Sequence, residues 1–386
     1  MTGALTVAAL WMALALIAGL LSYSFRVSAA LMEIVIGVLA QLLLGSEVMG
    51  VDSSWIKFLS TVGAVLLTFL AGSEIEPAVL KLKWKEAGSV GFASFLAPFL
   101  TCAGAAHFLL GWGVMGSWLA GLAMSTTSAA VIYAVTLEFG FNKTEYGKTL
   151  LIATFVTDVA TVLALGLTFT PFTVKTMTAV LIAVVVLILL PKIAPPFFKR
   201  FGGLLSELET KFLLLCLLAM AALATWADSE AVLAGYVVGM VLAGSVGADH
   251  ALVRRLRTLT FGLLTPFFFI LVGSLVSVPA LIAAPGATIF FFIAKVLTKT
   301  GGIFPVAKHF GSTNKEAMYT SLLMSTGLTF GTIAALFGLK HGIIDADQYS
   351  SLVAAVITTA VIPTVLANLY FLPTHLLPKA QQQENP

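Results

Sequence analysis

Thirteen stretches of the chain are apolar over roughly 17 to 25 residues, which is long enough for a helix to cross about 30 Å of hydrocarbon. None of them alternates apolar and polar residues as the strands of a membrane barrel do. Because backbone polar groups in lipid must be satisfied within the spanning segment, such stretches form helices. The pattern predicts an all-α polytopic membrane protein with spans centred near Ala13, Val38, Leu66, Pro98, Ser128, Asp158, Val184, Met220, Val237, Phe268, Ala294, Gly327 and Val361.

The composition excludes a soluble domain. The 386 residues are 59% hydrophobic and 10% charged, whereas soluble domains are nearer half apolar and a quarter charged. The net charge of +3 comes from basic residues scattered through loops, so no nucleic-acid partner is expected. Cys102 and Cys216 lie in apolar spans without a CxxC or His/Cys cluster, so we expect no disulfide framework, no zinc site and no cofactor.

The basic residues are distributed unevenly between the two sets of loops. If the N-terminus lies outside, sixteen Lys and Arg residues fall on the inner side, and only Lys57, Lys175 and Lys340 fall on the outer side. Cytoplasmic loops of membrane proteins are enriched in Lys and Arg. The sequence therefore predicts a multi-pass protein of the inner (plasma) membrane with the N-terminus outside and the C-terminus in the cytoplasm.

The two halves of the chain repeat at an offset of about 200 residues. The matches include Gly37 with Gly239, LAGSEIEPAVL from Leu70 with LVGSLVSVPAL from Leu271, and Met124-Ser125-Thr126 with Met324-Ser325-Thr326. The predicted units are a first six-helix repeat (1–169), a linker helix 7 (170–204), a second six-helix repeat (205–372) and a short cytoplasmic tail (373–386). Because the linker is a single helix, the second repeat is inverted, and inverted repeats are typical of alternating-access transporters with a binding site at the midplane.

Two spans at equivalent positions of the repeats carry small hydroxyl residues and glycine. Predicted span 5 contains AMSTTSAAV from Ala123 to Val131, and span 12 contains MSTGLTFGT from Met324 to Thr332. Hydroxyls can satisfy backbone groups that an interrupted helix leaves free. Close packing of helices through small residues is the alternative. The pairing of the two positions favours broken, crossing helices.

A single acid, Asp158, lies near the middle of the apolar stretch 149–167. A charge at that depth costs about 2.5 to 3.5 kcal/mol, so it rarely persists without a function. A purely structural Asp, held by a hydrogen bond or a basic neighbour, is the alternative. We interpret Asp158 as the carboxylate at which a proton and a cation compete.

Sodium and potassium prefer hard oxygen ligands, which a carboxylate, hydroxyls and unwound backbone supply. The candidate shell for a Na+ ion is therefore Asp158, Thr157, Ser125, Thr126 and Thr127.

Several motifs, taken in order, resemble the second branch of the monovalent cation:proton antiporters, the bacterial sodium/proton and potassium/proton exchangers with a sodium/hydrogen exchanger-like transmembrane domain. They are MEIVIGVLAQLLLG, LLTFLAGSEIEP, STTSAAV, TDVA, PFFFILVG, IAKVLTK and STGLTFGTIAALFG. The resemblance implies a homodimer of thirteen-helix subunits, each with a dimerisation domain and a six-helix core. It places the ion-binding Asp at Asp158 and the basic residue of helix 11 at Lys295. Electrogenic members have two adjacent acids, whereas Thr157 precedes Asp158 here.

The function expected is exchange of a monovalent cation for a proton, with sodium first and lithium or potassium as alternatives, and with electroneutral stoichiometry. Lys295 and Lys299 lie on one face of span 11. One of them should point at the broken-helix crossing; Lys295 is nearer the middle of the span, and Lys299 could instead extend to the inner boundary. A sodium-coupled solute symporter on a similar inverted-repeat fold is the alternative. An enzyme is not expected, because an intramembrane aspartyl protease needs two facing acids.

Overall fold

The structure is a computed structural model that describes residues 3–25, 29–73, 77–169, 174–203, 206–227, 231–246, 250–275 and 285–377. Within these ranges the chain forms helices and no strands. The helices are α1 (Ala4–Phe25), α2 (Ala29–Met49), α3 (Ser54–Ser73), α4 (Pro77–Phe108), α5 (Val114–Ser125), α6 (Ala129–Glu138), α7 (Glu145–Phe169), α8 (Val174–Phe201), α9 (Leu208–Trp226), α10 (Ala231–Val246), α11 (His250–Leu259), α12 (Thr265–Ser274), α13 (Pro285–His309), α14 (Asn314–Met324), α15 (Thr329–Lys340) and α16 (Ala346–Leu366). The predicted all-α class is confirmed.

Eleven helices among the described residues are long and apolar enough to cross a membrane, when α5 with α6 and α11 with α12 are each counted as one. Two further apolar segments, Ala231–Gly244 and Phe330–Leu339, are shorter. Every predicted span centre lies in a helix or, for Ser128 and Gly327, between two short helices. The chain is thus an integral multi-pass membrane protein, while the count of thirteen spans stays a prediction.

The helices pack as two neighbouring groups. One group contains α1 to α3 and α8 to α12, and the other contains α4, α5, α7 and α13 to α16. Helix α6 bridges the groups, because it packs against α3 and α2 on one side and α7 on the other. The two interrupted helices therefore lie in or beside the second group.

Two cavities lie where the groups meet. One, of about 330 Å³, is lined by α2, α6 and the start of α12. The other, of about 250 Å³, is lined by α3, α10, the end of α12, α15 and α16. One cavity contacts the start of α12 and the other contacts its end, so the two cavities lie at opposite ends of the boundary between the groups.

Glycine allows the closest approaches between helices of the first group. A Cβ atom at Gly239 would overlap the carbonyl oxygen of Phe69, and one at Gly72 would overlap that of Tyr236, so α3 and α10 meet backbone to backbone. Gly37 and Gly273 make the same reciprocal contact between α2 and α12. Close approach through small residues is a common mode of helix association in membranes.

These contacts predict that Gly239→Ala destabilises the protein by about 1 to 3 kcal/mol, since an extra methyl group has no room. Gly244 lies on the same helix with nothing within 4 Å of its added Cβ. Gly244→Ala should therefore be neutral or stabilising by up to about 1 kcal/mol, because alanine favours a helix over glycine. Thermal unfolding in one detergent compares the two variants. Equal stability of both would contradict the close contact.

Candidate functional site

The first interruption separates α5 from α6 at residues 126–128. Helix α5 ends at Ser125, Thr126 is extended (φ −63°, ψ 151°), and Ser128 caps α6 by accepting a hydrogen bond from the backbone N–H of Val131. The Ser125 hydroxyl donates to the carbonyl of Leu122 at 2.7 Å, and the Thr126 hydroxyl donates to that of Ala123 at 2.9 Å. The hydroxyls thus satisfy carbonyls that the end of a helix leaves without intrahelical donors.

The second interruption separates α14 from α15 and uses the same device. The Ser325 hydroxyl donates to the carbonyl of Ser321 at 2.7 Å, and the Thr326 hydroxyl donates to that of Leu323 at 2.8 Å. Gly327 donates its backbone N–H to the hydroxyl of Thr359 on α16 at 3.2 Å. Both interruptions fall where the Ser/Thr/Gly pattern predicts them.

The two interruptions are in direct contact. The Thr127 hydroxyl donates to the carbonyl of Met324 at 3.0 Å. A Cβ atom added at Gly327 would lie 3.1 Å from Oγ1 of Thr126. The C-terminal ends of α5 and α14 and the N-terminal ends of α6 and α15 meet here, so partial negative and partial positive charges of helix ends face one small region.

Asp158 lies on α7, which packs against α5 and α15. Its side chain is 4% exposed, and it lies within electrostatic reach of Lys299 and of the Tyr236 hydroxyl. Thr157 is fully buried, and its hydroxyl donates to the carbonyls of Gly91 on α4 at 3.0 Å and Ala153 at 3.1 Å. Asp158 therefore belongs to the same buried polar region as the helix interruptions, and Thr157 ties α7 to α4.

Lys295 and Lys299 of α13 are fully buried and reach the interruptions. Nζ of Lys299 donates to the Thr127 hydroxyl at 2.6 Å and to the Ser94 hydroxyl at 2.9 Å. Nζ of Lys295 lies beside Gly327, where an added Cβ would overlap it, and donates no hydrogen bond to any residue within the described ranges. The alternative in which Lys299 extends to the membrane boundary is wrong, since Ser94 and Thr127 hold it inside.

Sequence reasoning missed two buried hydroxyls, Ser94 on α4 and Thr359 on α16. Each contacts one interruption from a neighbouring helix. Ser94 lies in the apolar stretch around Pro98, but nothing in the sequence linked it to Lys299 or Thr127. Nothing in the sequence linked Thr359 to Gly327.

The geometry offers one carboxylate, several hydroxyl and carbonyl oxygens, two buried ammonium groups and converging helix ends. Residues 12–370 match the family model of the sodium/hydrogen exchanger transmembrane domain. The chain is therefore a membrane transporter of the sodium/hydrogen exchanger family, and the resemblance drawn from its motifs is confirmed.

Individual relatives match over nearly the whole chain. The probable Na(+)/H(+) antiporter 3 of Methanocaldococcus jannaschii is 23% identical over 351 residues, covering 84% of this chain and 86% of that protein. The Na(+)/H(+) antiporter NhaS4 of Synechocystis is 25% identical over 400 residues, covering 94% and 96%. The structure of the sodium proton antiporter MjNhaP1 from M. jannaschii at pH 8 has a TM-score of 0.67 at 15% identity and covers 94% of both chains, which shows a shared fold.

Proposed function

We propose that this protein exchanges a monovalent cation, sodium in the first place and lithium or potassium as alternatives, for a proton by alternating access at Asp158. The observation that carries the proposal is a buried carboxylate beside two contacting helix interruptions in a chain of this family. The relatives named as sodium/proton antiporters support exchange over the symport of a solute.

Hydroxyl orientation supports Ser125, Thr126, Thr127 and Thr157 as cation ligands beside Asp158. Each of these hydroxyls donates its hydrogen to a backbone carbonyl. A hydroxyl that has donated its hydrogen can offer only lone pairs to a further partner. Lone pairs are what a hard cation requires. Thr127 additionally accepts from Lys299, so cation binding at Thr127 would compete with that ammonium group.

Competition at one carboxylate couples the two fluxes. A proton on Asp158 and a cation held by its oxygens each neutralise the buried charge, whereas the bare carboxylate is costly in the low-dielectric interior. The loaded and protonated forms therefore cross readily and the bare form does not. Because the bare form does not cross, a cation can move only in exchange for a proton, and neither ion leaks alone.

The inverted repeats, 1–169 and 205–372 around the linker 170–204, are part of the proposal. The reciprocal glycine contacts support it, because Gly37 and Gly72 of the first repeat contact Gly273 and Gly239 of the second, and the equivalent glycines are 201 and 202 residues apart. The cavities at opposite ends of α12 support access from two sides. An outside N-terminus, a cytoplasmic C-terminus, the tail 373–386 and a homodimer complete the proposal.

Purified protein in vesicles with an internal pH dye and no organic solute tests the function. With an acidic interior, external sodium should make the interior more alkaline, because protons leave as sodium enters. Choline chloride is the control, and lithium and potassium rank the cations. If the pH change appeared only after an organic solute was added, the result would contradict exchange and favour a sodium-coupled symporter.

The expected stoichiometry is one proton for one cation. Thr157 occupies the position of a second acid in electrogenic relatives, so Asp158 alone carries the exchanging charge. A membrane potential contributes about 2.3 kcal/mol per charge per 100 mV to an electrogenic cycle and nothing to an electroneutral one. Exchange in sealed vesicles should therefore not respond to a potassium–valinomycin potential at a fixed proton gradient. Acceleration by that potential would make Lys295 the candidate carrier of a second proton.

A further inference from the structure

The cavity of about 330 Å³ between α2, α6 and α12 contains two carboxylates away from Asp158. Its lining includes Glu33, Glu138, Phe261, Thr265 and Phe269. At about 30 Å³ per molecule in the liquid, such a volume holds several waters. The cavity is therefore large enough for a cation that keeps part of its hydration shell.

Glu33 is the unusual group in this cavity. The residue is 8% exposed, and no hydrogen bond or ion pair joins it to another residue in the described part of the chain. Glu138 lies close enough to interact with it electrostatically, and accepts a hydrogen bond from the backbone N–H of Ala29 at 3.0 Å. A buried carboxylate beside a second carboxylate is costly while it is charged, so a proton or a cation is needed to neutralise it.

The position of the cavity separates it from Asp158. Helix α6 runs ten residues from the first interruption to Glu138, which is about 15 Å along its axis. The cavity also contacts the start of α2, on the side that the distribution of basic residues predicts to be cytoplasmic. An ion here would be close to the inner surface and about 15 Å from the helix crossing.

We propose that Glu33 and Glu138 form a second binding station for the transported monovalent cation, at the cytoplasmic mouth of the path to Asp158. The assignment of the cation rests on the proposed function. A monovalent ion fits because, among the described residues, the Ala29 N–H engages Glu138 and none engages Glu33, whose carboxylate lines the cavity.

The test measures sodium binding without relying on transport. In the Asp158→Asn background, sodium chloride should still raise the unfolding temperature relative to N-methyl-D-glucamine chloride at equal ionic strength, since a ligand that binds the native state stabilises it. Adding Glu33→Gln should weaken the apparent affinity at least tenfold. Glu47→Gln, at an exposed position on the same helix, is the matched control and should change nothing.

A second variant protects the test against misfolding. Glu138→Gln keeps an acceptor for the Ala29 N–H while removing the charge, and should also weaken sodium binding. An unchanged sodium response in both charge-removing variants overturns the station. So does stabilisation by magnesium but not by sodium.

Transport distinguishes this proposal from the proposed function. With Asp158 intact, Glu33→Gln should raise the sodium concentration for half-maximal exchange several-fold without lowering the maximal rate. If the wild-type chain fails to exchange while sodium still binds through Glu33, the proposed function fails and the station stands. If Glu33→Gln exchanges normally, with unchanged sodium binding and an unchanged half-maximal sodium concentration, the second binding station is wrong and the proposed function stands.

Discussion

Asp158→Asn is expected to abolish cation/proton exchange while the protein remains folded. The amide has nearly the same shape as the carboxylate, but it can neither release a proton nor offer a negative charge to a cation. The exchange rate in vesicles with a pH dye should fall to that of empty vesicles. Gel filtration and thermal unfolding should match those of the unchanged protein.

Two other variants serve as controls for Asp158→Asn. Asp52→Asn removes an exposed acid, 91% accessible at its side chain, and should leave exchange intact. Thr157→Ala removes one proposed oxygen ligand and should weaken cation affinity without abolishing exchange. Coupled transport that survives in Asp158→Asn would falsify the assignment of the ion site.

Lys299→Ala should cause the largest loss of stability among single changes in the polar region. It removes two hydrogen bonds from a buried ammonium group to Ser94 and Thr127. Bonds to charged groups contribute about 1.5 to 3 kcal/mol each, and truncation also leaves a cavity. After allowance for the cost of burying the charge, we expect a loss of about 3 kcal/mol, measured by thermal or denaturant unfolding in detergent.

Lys295→Ala is the matched variant one turn away on α13. Its ammonium group has no hydrogen-bond partner in the described ranges, so its removal should cost at least 1 kcal/mol less than that of Lys299. Because the family resemblance places the basic core residue at Lys295, its loss should instead change the pH dependence of exchange. Equal destabilisation by both changes would contradict the assignment of the structural role to Lys299. If only Lys299→Ala changed the pH dependence of exchange, Lys299 and not Lys295 would be the basic residue of the core.

The interruptions could be predicted from sequence because their cause is local. Hydroxyls at Ser125, Thr126, Ser325 and Thr326 bond carbonyls three or four residues earlier, so the pattern itself contains both the break and its compensation. The position of Asp158 in the middle of an apolar stretch could also be recognised from the sequence.

The orientation of the lysines could not be predicted, because its cause is distant. Lys295 and Lys299 share one helix face, and the partners that fix Lys299 are Ser94 and Thr127, which lie 205 and 172 residues away in sequence. Glu33 shows the same limit. It lies near the start of a span in sequence, and its contacts with α6 and α12 form only in the folded protein. The π-helical turn Thr260–Leu264 before α12 could not be predicted from hydropathy either, because the turn and α12 both consist mainly of apolar residues.

The reciprocal glycine contacts have a consequence for how the protein is made. Gly273 is synthesised 236 residues after Gly37, and Gly239 is synthesised 167 residues after Gly72. At roughly 5 to 20 residues per second, α2 waits about 10 to 50 s for its closest neighbour. During that interval the glycine faces of α2 and α3 border lipid or the insertion machinery. The first half of the chain therefore cannot complete its native packing as it leaves the ribosome, and a truncated product would display these bare backbone surfaces to membrane quality control.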